Sequence, residues 1–459
     1  MVNQTLTNLF PRTARINARN HLAIAGCDVV DLAREFGTPL YIFDDAHLRA
    51  RAAEIRDAFQ SRWQNSLVLY ATKAYYSPYI ARVFKDAGLG IDVTSEGELE
   101  IARRVGLTPD KIYLHGNNKT PAEIHAALAQ GVTHIVVDNL DEIELLARLA
   151  DELRVTPRVL LRLAPAIDPH THRYLATGIA ESKFGLPMQT GIAMEAARRL
   201  AHYASRITLV GLHAHIGSQI FDLAPYRDTI AALTDFAAEL KSAIGFELQE
   251  LDLGGGWGVP YVEEQNALAV EDMAETIVSS FKFQIPSSKF KVQGSNLEPR
   301  TSNLEPETSN LKLVFEPGRA LIASSAVAVY TVGAIKEIRD VRTYIAVDGG
   351  MGDNIRPALY GAQYTARVAN KMNDAPTMRA AIAGRYCEQG DILINEVALP
   401  RVSAGDLIAI PTAGAYQIPM ASNYNLIPRP AVIAARDGNA RVIRRRETVE
   451  DMLRCDVDE

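Results

Sequence analysis

The chain has 459 residues, too many for one ordinary domain and enough for two or three. Its 47% hydrophobic and 22% charged content is that of a globular protein, and a net charge of −7 excludes a general attraction to nucleic acid or anionic membrane. No apolar run approaches the roughly 18 residues that mark a membrane span, and "MVNQTLTNLFPRTARINARNH" lacks the apolar centre of a secretory signal. Cys27, Cys387 and Cys455, odd in number and far apart, suggest neither a disulfide framework nor a zinc site. No metal is therefore expected, and a reducing cytoplasm is the expected location.

The first extended candidate is "PLYIF" (39–43). From residue 66 the chain alternates strand and helix patterns. The strand candidates are "SLVLYA" (66–71), "GLGIDV" (88–93), "KIYLHG" (111–116), "THIVVDN" (133–139), "RVLLRL" (158–163), "ITLVGLH" (207–213), "ELQELDL" (247–253) and "KLVFEPG" (312–318). Helix-period segments such as "SPYIARVFKDAG", "EGELEIARRVG" and "DEIELLARLADEL" separate most of them. Eight such strands in roughly 250 residues predict an α/β fold built on a (β/α)8 TIM-like barrel; an open doubly wound sheet is the alternative that periodicity leaves open. The barrel is expected over 43–320. Within it, "SNLEPRTSNLEPETSNL" (295–311) is a seven-residue unit repeated, and its prolines oppose a helix. It reads as a low-complexity insertion in a surface loop. Beyond 320, short apolar runs with turn residues between them predict an all-β domain over 321–459, a β-sandwich or barrel completed by residues 1–42.

Polar residues collect after the strands. The first strand is followed by Lys73, the second carries Asp92 near its end, and the third leads into His115, Gly116 and Asn117. The sixth leads into His213, His215 and Ser218, the seventh into Gly254, Gly255 and Gly256, and the eighth into Glu316 and Arg319. In a barrel these ends share one rim, where active sites of the fold lie. Consecutive glycines let backbone N–H groups approach an anion, although a tight turn explains three glycines equally well. A lone Lys73 reads as a lysine with its head in water. Beside an anion cradle it reads as a Schiff-base nucleophile, activated by desolvation. A lysine, a phosphate cradle and a carboxylate for a pyridine nitrogen are the parts of a pyridoxal phosphate (PLP) site. Glu316 is the candidate carboxylate, with an ion pair to Arg319 as its bland alternative. His215 is the candidate ring-stacking residue, or else a hydrogen-bonded core histidine.

The sequence resembles the alanine-racemase-like, fold type III PLP decarboxylases from about residue 36 to 432. The likeness is carried by "YATKAYYSP", "GIDVTSEGELEIA", "HGNNKT", "HTHRYLATGIAESKFGL", "GLHAHIGSQIFD", "LDLGGGWGVPY", "FEPGRAL", "VDGGMGDNIRPALYGA", "GRYCEQGD" and "GAYQIPMASNYN". The resemblance implies that PLP is held by Lys73, His215, Ser218, Gly254, Gly255, Gly256, Glu316, Gly318, Arg319 and Tyr416. It implies substrate binding by Arg319, Arg356, Tyr360, Glu388 and Tyr416, and catalysis by Lys73 and Cys387. It also implies a homodimer with shared active sites, in which Cys387 and Glu388 serve the neighbouring subunit. Taken alone, Cys387 reads as a small buried hydrophobe. Glu96 and Gln389 depart from the family pattern without touching a proposed chemical group, and the 295–311 repeat is foreign to it. A site with two arginines and one glutamate suits a substrate bearing both a carboxylate and an ammonium at its far end. That implies decarboxylation of meso-2,6-diaminopimelate to L-lysine and CO2, the last step of lysine biosynthesis. Another basic amino acid, carboxynorspermidine, or a non-catalytic PLP-binding role are the alternatives.

Overall fold

The computed structural model describes residues 6–168, 182–284 and 311–457. The 295–311 repeat, apart from Leu311, and most of "HTHRYLATGIAESKFGL" lie outside the described residues. All eight expected strands form: Ser66–Ala71, Gly90–Val93, Ile112–Leu114, His134–Val137, Arg158–Ala164, Thr208–His213, Glu250–Asp252 and Lys312–Phe315. They pair in parallel in chain order, and the last closes on the first through Leu313↔Ser66 and Phe315↔Val68. The sheet is a closed barrel, which excludes the open doubly wound alternative.

Period-two alternation sorts the strand residues between two cores. Leu69, Tyr113, Val136, Leu160, Val210 and Val314 form an inner cluster, while Val68 and Tyr70 pack outward among the helices. Tyr70 lies 4.2 Å, centroid to centroid, from Phe84 of helix Pro78–Asp86. Capping residues start the helices soon after the strands end. Ser77, Ser95 and Asn139 each accept a hydrogen bond from a first-turn backbone N–H. Thr120 and Glu123 form a reciprocal capping box. Each cap contributes about 1 kcal/mol and directs the chain back along the outside of the barrel.

The barrel floor, at the strand N-termini, is polar. Glu250 accepts from the Tyr113 hydroxyl at 2.8 Å and from Arg158 Nη2 at 3.0 Å, and lies 3.1 Å from His134 Nε2. Burial alone would push the Glu250 carboxyl up, but His134, Lys312 and Tyr113 hold it down at about 2. Its folded pKa lies below its unfolded value near 4.3, so this stability is complete above that value and is lost as pH falls toward 2. Glu250→Gln is expected to lower unfolding free energy at pH 7 by about 3 kcal/mol. Denaturant titrations of wild type and variant should converge at acid pH; parallel pH profiles would refute the assignment.

Leu40–Asp44 pairs antiparallel with Ala326–Ile338 and parallel with Ala431–Arg436. That sheet extends through Arg342–Val347, Met378–Ala383 and Ile392–Leu399 on one side and Asn439–Arg444 on the other. Leu40 and Ile42 join a β core with Leu22, Val29, Val327 and Ile433, while Tyr41 and Phe43 face the barrel side. Phe43 stacks on Tyr75, just beyond the first barrel strand, with centroids 5.5 Å apart. Both faces of the Leu40–Asp44 strand are buried, and it joins the β region to the barrel rim.

Candidate active site

Lys73 sits in a single 3-10 turn, Thr72–Ala74, directly after the first barrel strand. Three neighbours hold this turn. The Thr72 backbone N–H donates to Asp92 Oδ1 at 3.0 Å, and its hydroxyl donates to the Asp92 carbonyl at 2.8 Å. The Tyr70 hydroxyl donates to the Tyr75 carbonyl at 2.6 Å and accepts from its N–H at 3.1 Å. From the β region, the Tyr416 N–H donates to the Ala74 carbonyl at 2.7 Å. The side chain itself is exposed to a cavity of about 160 Å³. This corrects the expectation of a desolvated lysine: the protein fixes the backbone and leaves the amine open.

The cavity wall also contains His215, Ser218, Gly256, Glu316, Gly318, Arg319, Arg356, Tyr360 and Tyr416. Cofactor and substrate candidates spread over more than 340 residues of sequence thus meet around one lysine. Gly254 and Gly255 adjoin them, with the Gly255 N–H donating to His215 Nδ1 at 3.1 Å. That bond makes Nδ1 an acceptor. Burial and then the Lys73 charge push the imidazole well below its usual range, so His215 is a neutral ring. A Cβ on Gly255 would lie 2.2 Å from the Glu316 carbonyl oxygen, and one on Gly256 would lie 2.3 Å from that of Gly217. Close backbone approach therefore requires glycine at both positions, and Gly256 has in addition a φ of +102°. The Gly254 N–H donates to Asp252 Oδ1 at 2.8 Å, so with the Gly255 bond to His215 it is Gly256, at the cavity wall, whose bare backbone is placed to meet an anion.

Glu316 is buried, with Oε1 2.7 Å from His115 Nε2 and Oε2 3.3 Å from His213 Nε2. It forms no pair with Arg319, so the bland alternative for Glu316 falls. Burial opposes its ionisation, but the two imidazoles overcome this and hold the carboxyl well below its usual range. Burial and Glu316 push Asp252 well above its usual range, and they push Asp92 up to about 8 against the opposing Lys73 charge. Three carboxyl groups thus crowd the rim, and Glu316 is the one that keeps its charge. Glu316 Oε1 and Asp252 Oδ2 are buried without a well-formed hydrogen bond. An acceptor of this kind beneath the lysine fits the N–H of a pyridinium ring. His115, His213, Asp252 and Glu316 also bring metal-ligand atoms within 4.8 Å of one another. His115 and His213 are both directed at the Glu316 carboxylate within that group.

Arg319 and Arg356 are both buried, and the partners they meet among the described residues are hydroxyls and aromatic rings, not carboxylates. Arg319 donates to the Tyr261 hydroxyl at 2.8 Å and to Ser218 Oγ at 3.0 Å, while its Nε has no hydrogen-bond partner. Arg356 donates to the Tyr364 hydroxyl and lies 4.7 Å from the Tyr261 ring centroid. Burial would raise the Tyr261 phenol, yet Arg319 and Arg356 bring it below its usual value. Tyr416, at φ +60°, stacks beneath Arg319 with 4.6 Å from guanidinium carbon to ring centroid. A bulky residue held in the left-handed region is typical of a functional site.

Cys387 and Glu388 are exposed and do not line this cavity. Exposure removes the reading of Cys387 as a buried hydrophobe. The strand-end pattern marks Asp92, His115 and His213 only by position, and it assigns nothing to Tyr261 or Tyr364, which meet the buried arginines. Spacing carries a signal for one of them: His213 lies two residues before His215, so both fall on the inward face. Tyr261 and Tyr364 had no such signal, because loops bring them in.

A lysine at a barrel rim, beside consecutive glycines and a buried carboxylate, fits a pyridoxal-dependent enzyme of the barrel-plus-β type. Comparison with known families agrees. The model of the pyridoxal-dependent decarboxylase pyridoxal-binding domain matches residues 45–323. The chain is 40% identical to the diaminopimelate decarboxylase of Bacillus subtilis, over 97% of each chain, and 39% identical to that of Halalkalibacterium halodurans, over 98% of each. The crystal structure of diaminopimelate decarboxylase from M. jannaschii in complex with L-lysine superposes with a TM-score of 0.86 at 32% identity, covering 98% of both chains. The chain belongs to the diaminopimelate decarboxylase family.

Proposed function

We propose that the chain removes CO2 from meso-2,6-diaminopimelate to form L-lysine, using PLP. The observation that carries this reading is the pair of buried guanidiniums, Arg319 and Arg356, lacking a carboxylate partner beside Lys73. Two unneutralised buried cations are costly unless an anion completes them. A simple diamino acid has no second carboxylate to offer; diaminopimelate has one.

Lys73 Nζ is the amine that would hold the cofactor between turnovers. Ser218, Gly254, Gly255, Gly256 and Gly318 would hold its phosphate, and the neutral His215 would serve its ring. Glu316 would favour a proton on the ring nitrogen. When bound, PLP supplies the electron sink for the pair left behind by departing CO2. Arg319, Arg356 and Tyr360 bind the distal carboxylate, and Tyr416 closes over cofactor and substrate. Cys387 of a second copy donates the proton to Cα, and Glu388 of that copy receives the distal ammonium. Their absence from the cavity wall of their own chain supports a homodimer with shared sites. We also read the chain as two units, a barrel over 43–320 and a β unit from 1–42 with 321–459. The core shared by Leu22, Ile42 and Val327 supports that division. No helix among the described residues is long and apolar enough to cross a membrane, and the three free cysteines are compatible with a reducing cytoplasm.

Purified protein with PLP should release CO2 and lysine from meso-diaminopimelate and act poorly on ornithine, arginine or carboxynorspermidine. Arg356→Met should raise KM for diaminopimelate and lower kcat/KM by about 100-fold, as loss of a bidentate buried contact does. Absence of CO2 release from diaminopimelate would overturn the substrate, and absence of turnover on every substrate would overturn the enzyme.

A further inference from the structure

Cys387 and Glu388 lie on an exposed turn, yet both are tied to one neighbouring segment. The Cys387 backbone N–H donates to Asn425 Oδ1 at 3.0 Å, and the Tyr424 hydroxyl donates to Glu388 Oε1 at 2.6 Å. Tyr424 also stacks on Tyr386 with centroids 6.2 Å apart. The segment adopts an uncommon backbone: Asn425 has φ +54° and the following Leu426 has φ +52°. A branched aliphatic residue in the left-handed region costs about 1–2 kcal/mol. Leu426 is nevertheless 67% exposed, so burial of its side chain within the subunit does not compensate. Strain without local return is typical of segments whose geometry serves a site.

We propose that Tyr424 and Asn425 are positioning residues that preset Glu388 and Cys387 for the active site of the second copy. Asn425 acts through the Cys387 backbone and fixes where the thiol points. Tyr424 acts through the Glu388 carboxylate and holds it toward the distal ammonium of the substrate. This inference rests on the shared-site reading above. The two residues therefore affect different steps. Loss of the Asn425 acceptor misplaces the proton donor and lowers kcat. Loss of the Tyr424 hydroxyl frees the ammonium-binding carboxylate and raises KM.

The test uses the full-length PLP-loaded enzyme. Asn425→Gly preserves the left-handed backbone while removing the acceptor, and should lower kcat about tenfold with KM unchanged. Tyr424→Phe should raise KM for meso-diaminopimelate about fivefold with kcat nearly unchanged. In mixtures, the Asn425→Gly chain should regain activity with a Lys73→Ala chain, since its own barrel is intact and its partner supplies a sound Cys387. Cys387→Ala mixed with Lys73→Ala is the control, expected to recover about a quarter of wild-type activity by random pairing of subunits. If that control stays inactive, the shared-site reading fails. If the control recovers activity but Asn425→Gly keeps wild-type kcat, or both variants change kcat and KM alike, the positioning proposal is overturned. An Asn425→Gly chain that melts like wild type yet neither turns over nor complements also refutes a role confined to positioning, and Tyr424→Phe carries the test where Asn425→Gly does not fold.

Discussion

Lys73→Ala is expected to reduce turnover of meso-diaminopimelate by about 10³-fold or more while leaving the fold intact. The two halves of this expectation have separate grounds. Turnover depends on Lys73, the one amine among the described residues that lines the cavity with His215, Glu316 and Gly256. The fold does not depend on it, because Asp92 accepts from the Thr72 N–H, the Tyr416 N–H donates to the Ala74 carbonyl and the Tyr70 hydroxyl donates to the Tyr75 carbonyl. Removal of the exposed side chain should change stability by no more than about 0.5 kcal/mol. Visible absorbance of bound cofactor, kcat and thermal melting of the variant measure all three points. Wild-type kcat in Lys73→Ala would remove the basis of the site, and an unfolded variant would contradict the bonding of the turn.

Glu316→Gln should lower kcat by about 10²–10³-fold, the usual effect of deleting a preorganised charge that meets developing charge. The volume is nearly unchanged, so the loss isolates charge from shape. A neutral amide cannot favour the protonated ring nitrogen, and the electron sink weakens accordingly. The change also relieves the neighbouring carboxyls. Burial and then Glu316 hold Asp92 at about 8, above its ordinary value, so the folded apoprotein binds a proton that the unfolded chain has released. Stability of the apoprotein on this account is full below about pH 4 and declines as pH rises toward 8. Without the Glu316 charge the Asp92 carboxyl should titrate lower, and that decline should flatten. Apoprotein melts across this range, alongside kcat of the loaded enzyme, check both effects. An unaltered kcat, or a decline unaffected by the substitution, would contradict the electrostatic assignment.

Much of the barrel was legible in the sequence for a local reason. A buried parallel strand must be a short apolar run, and its helix must begin with a capping residue. "SLVLYATKAYYSP" contains the first strand, the rim lysine and the Ser77 cap in order. The rim residues Lys73, His215, Glu316 and Arg319 followed from their places after strands. The shell beneath them was harder to read. His115, His213 and Asp252 are single polar residues in apolar runs, and only the closed sheet brings them to Glu316.

The sequence by itself determined the order of strands and helices, the two kinds of region, and the chemical groups at each strand end. Alternation, capping and glycine are local properties, so they survive in one dimension. Tertiary structure decided what those groups become. Barrel closure pairs the eighth strand with the first and so brings Glu316 into one cavity with Lys73. Crowding of Asp92, Asp252 and Glu316 in one dry volume decides which carboxyl keeps its charge. Packing of the β region against the rim brings Arg356 and Tyr416 into the cavity, and it leaves Cys387 and Glu388 facing outward. Distance and dielectric set these outcomes, and both are properties of the folded volume.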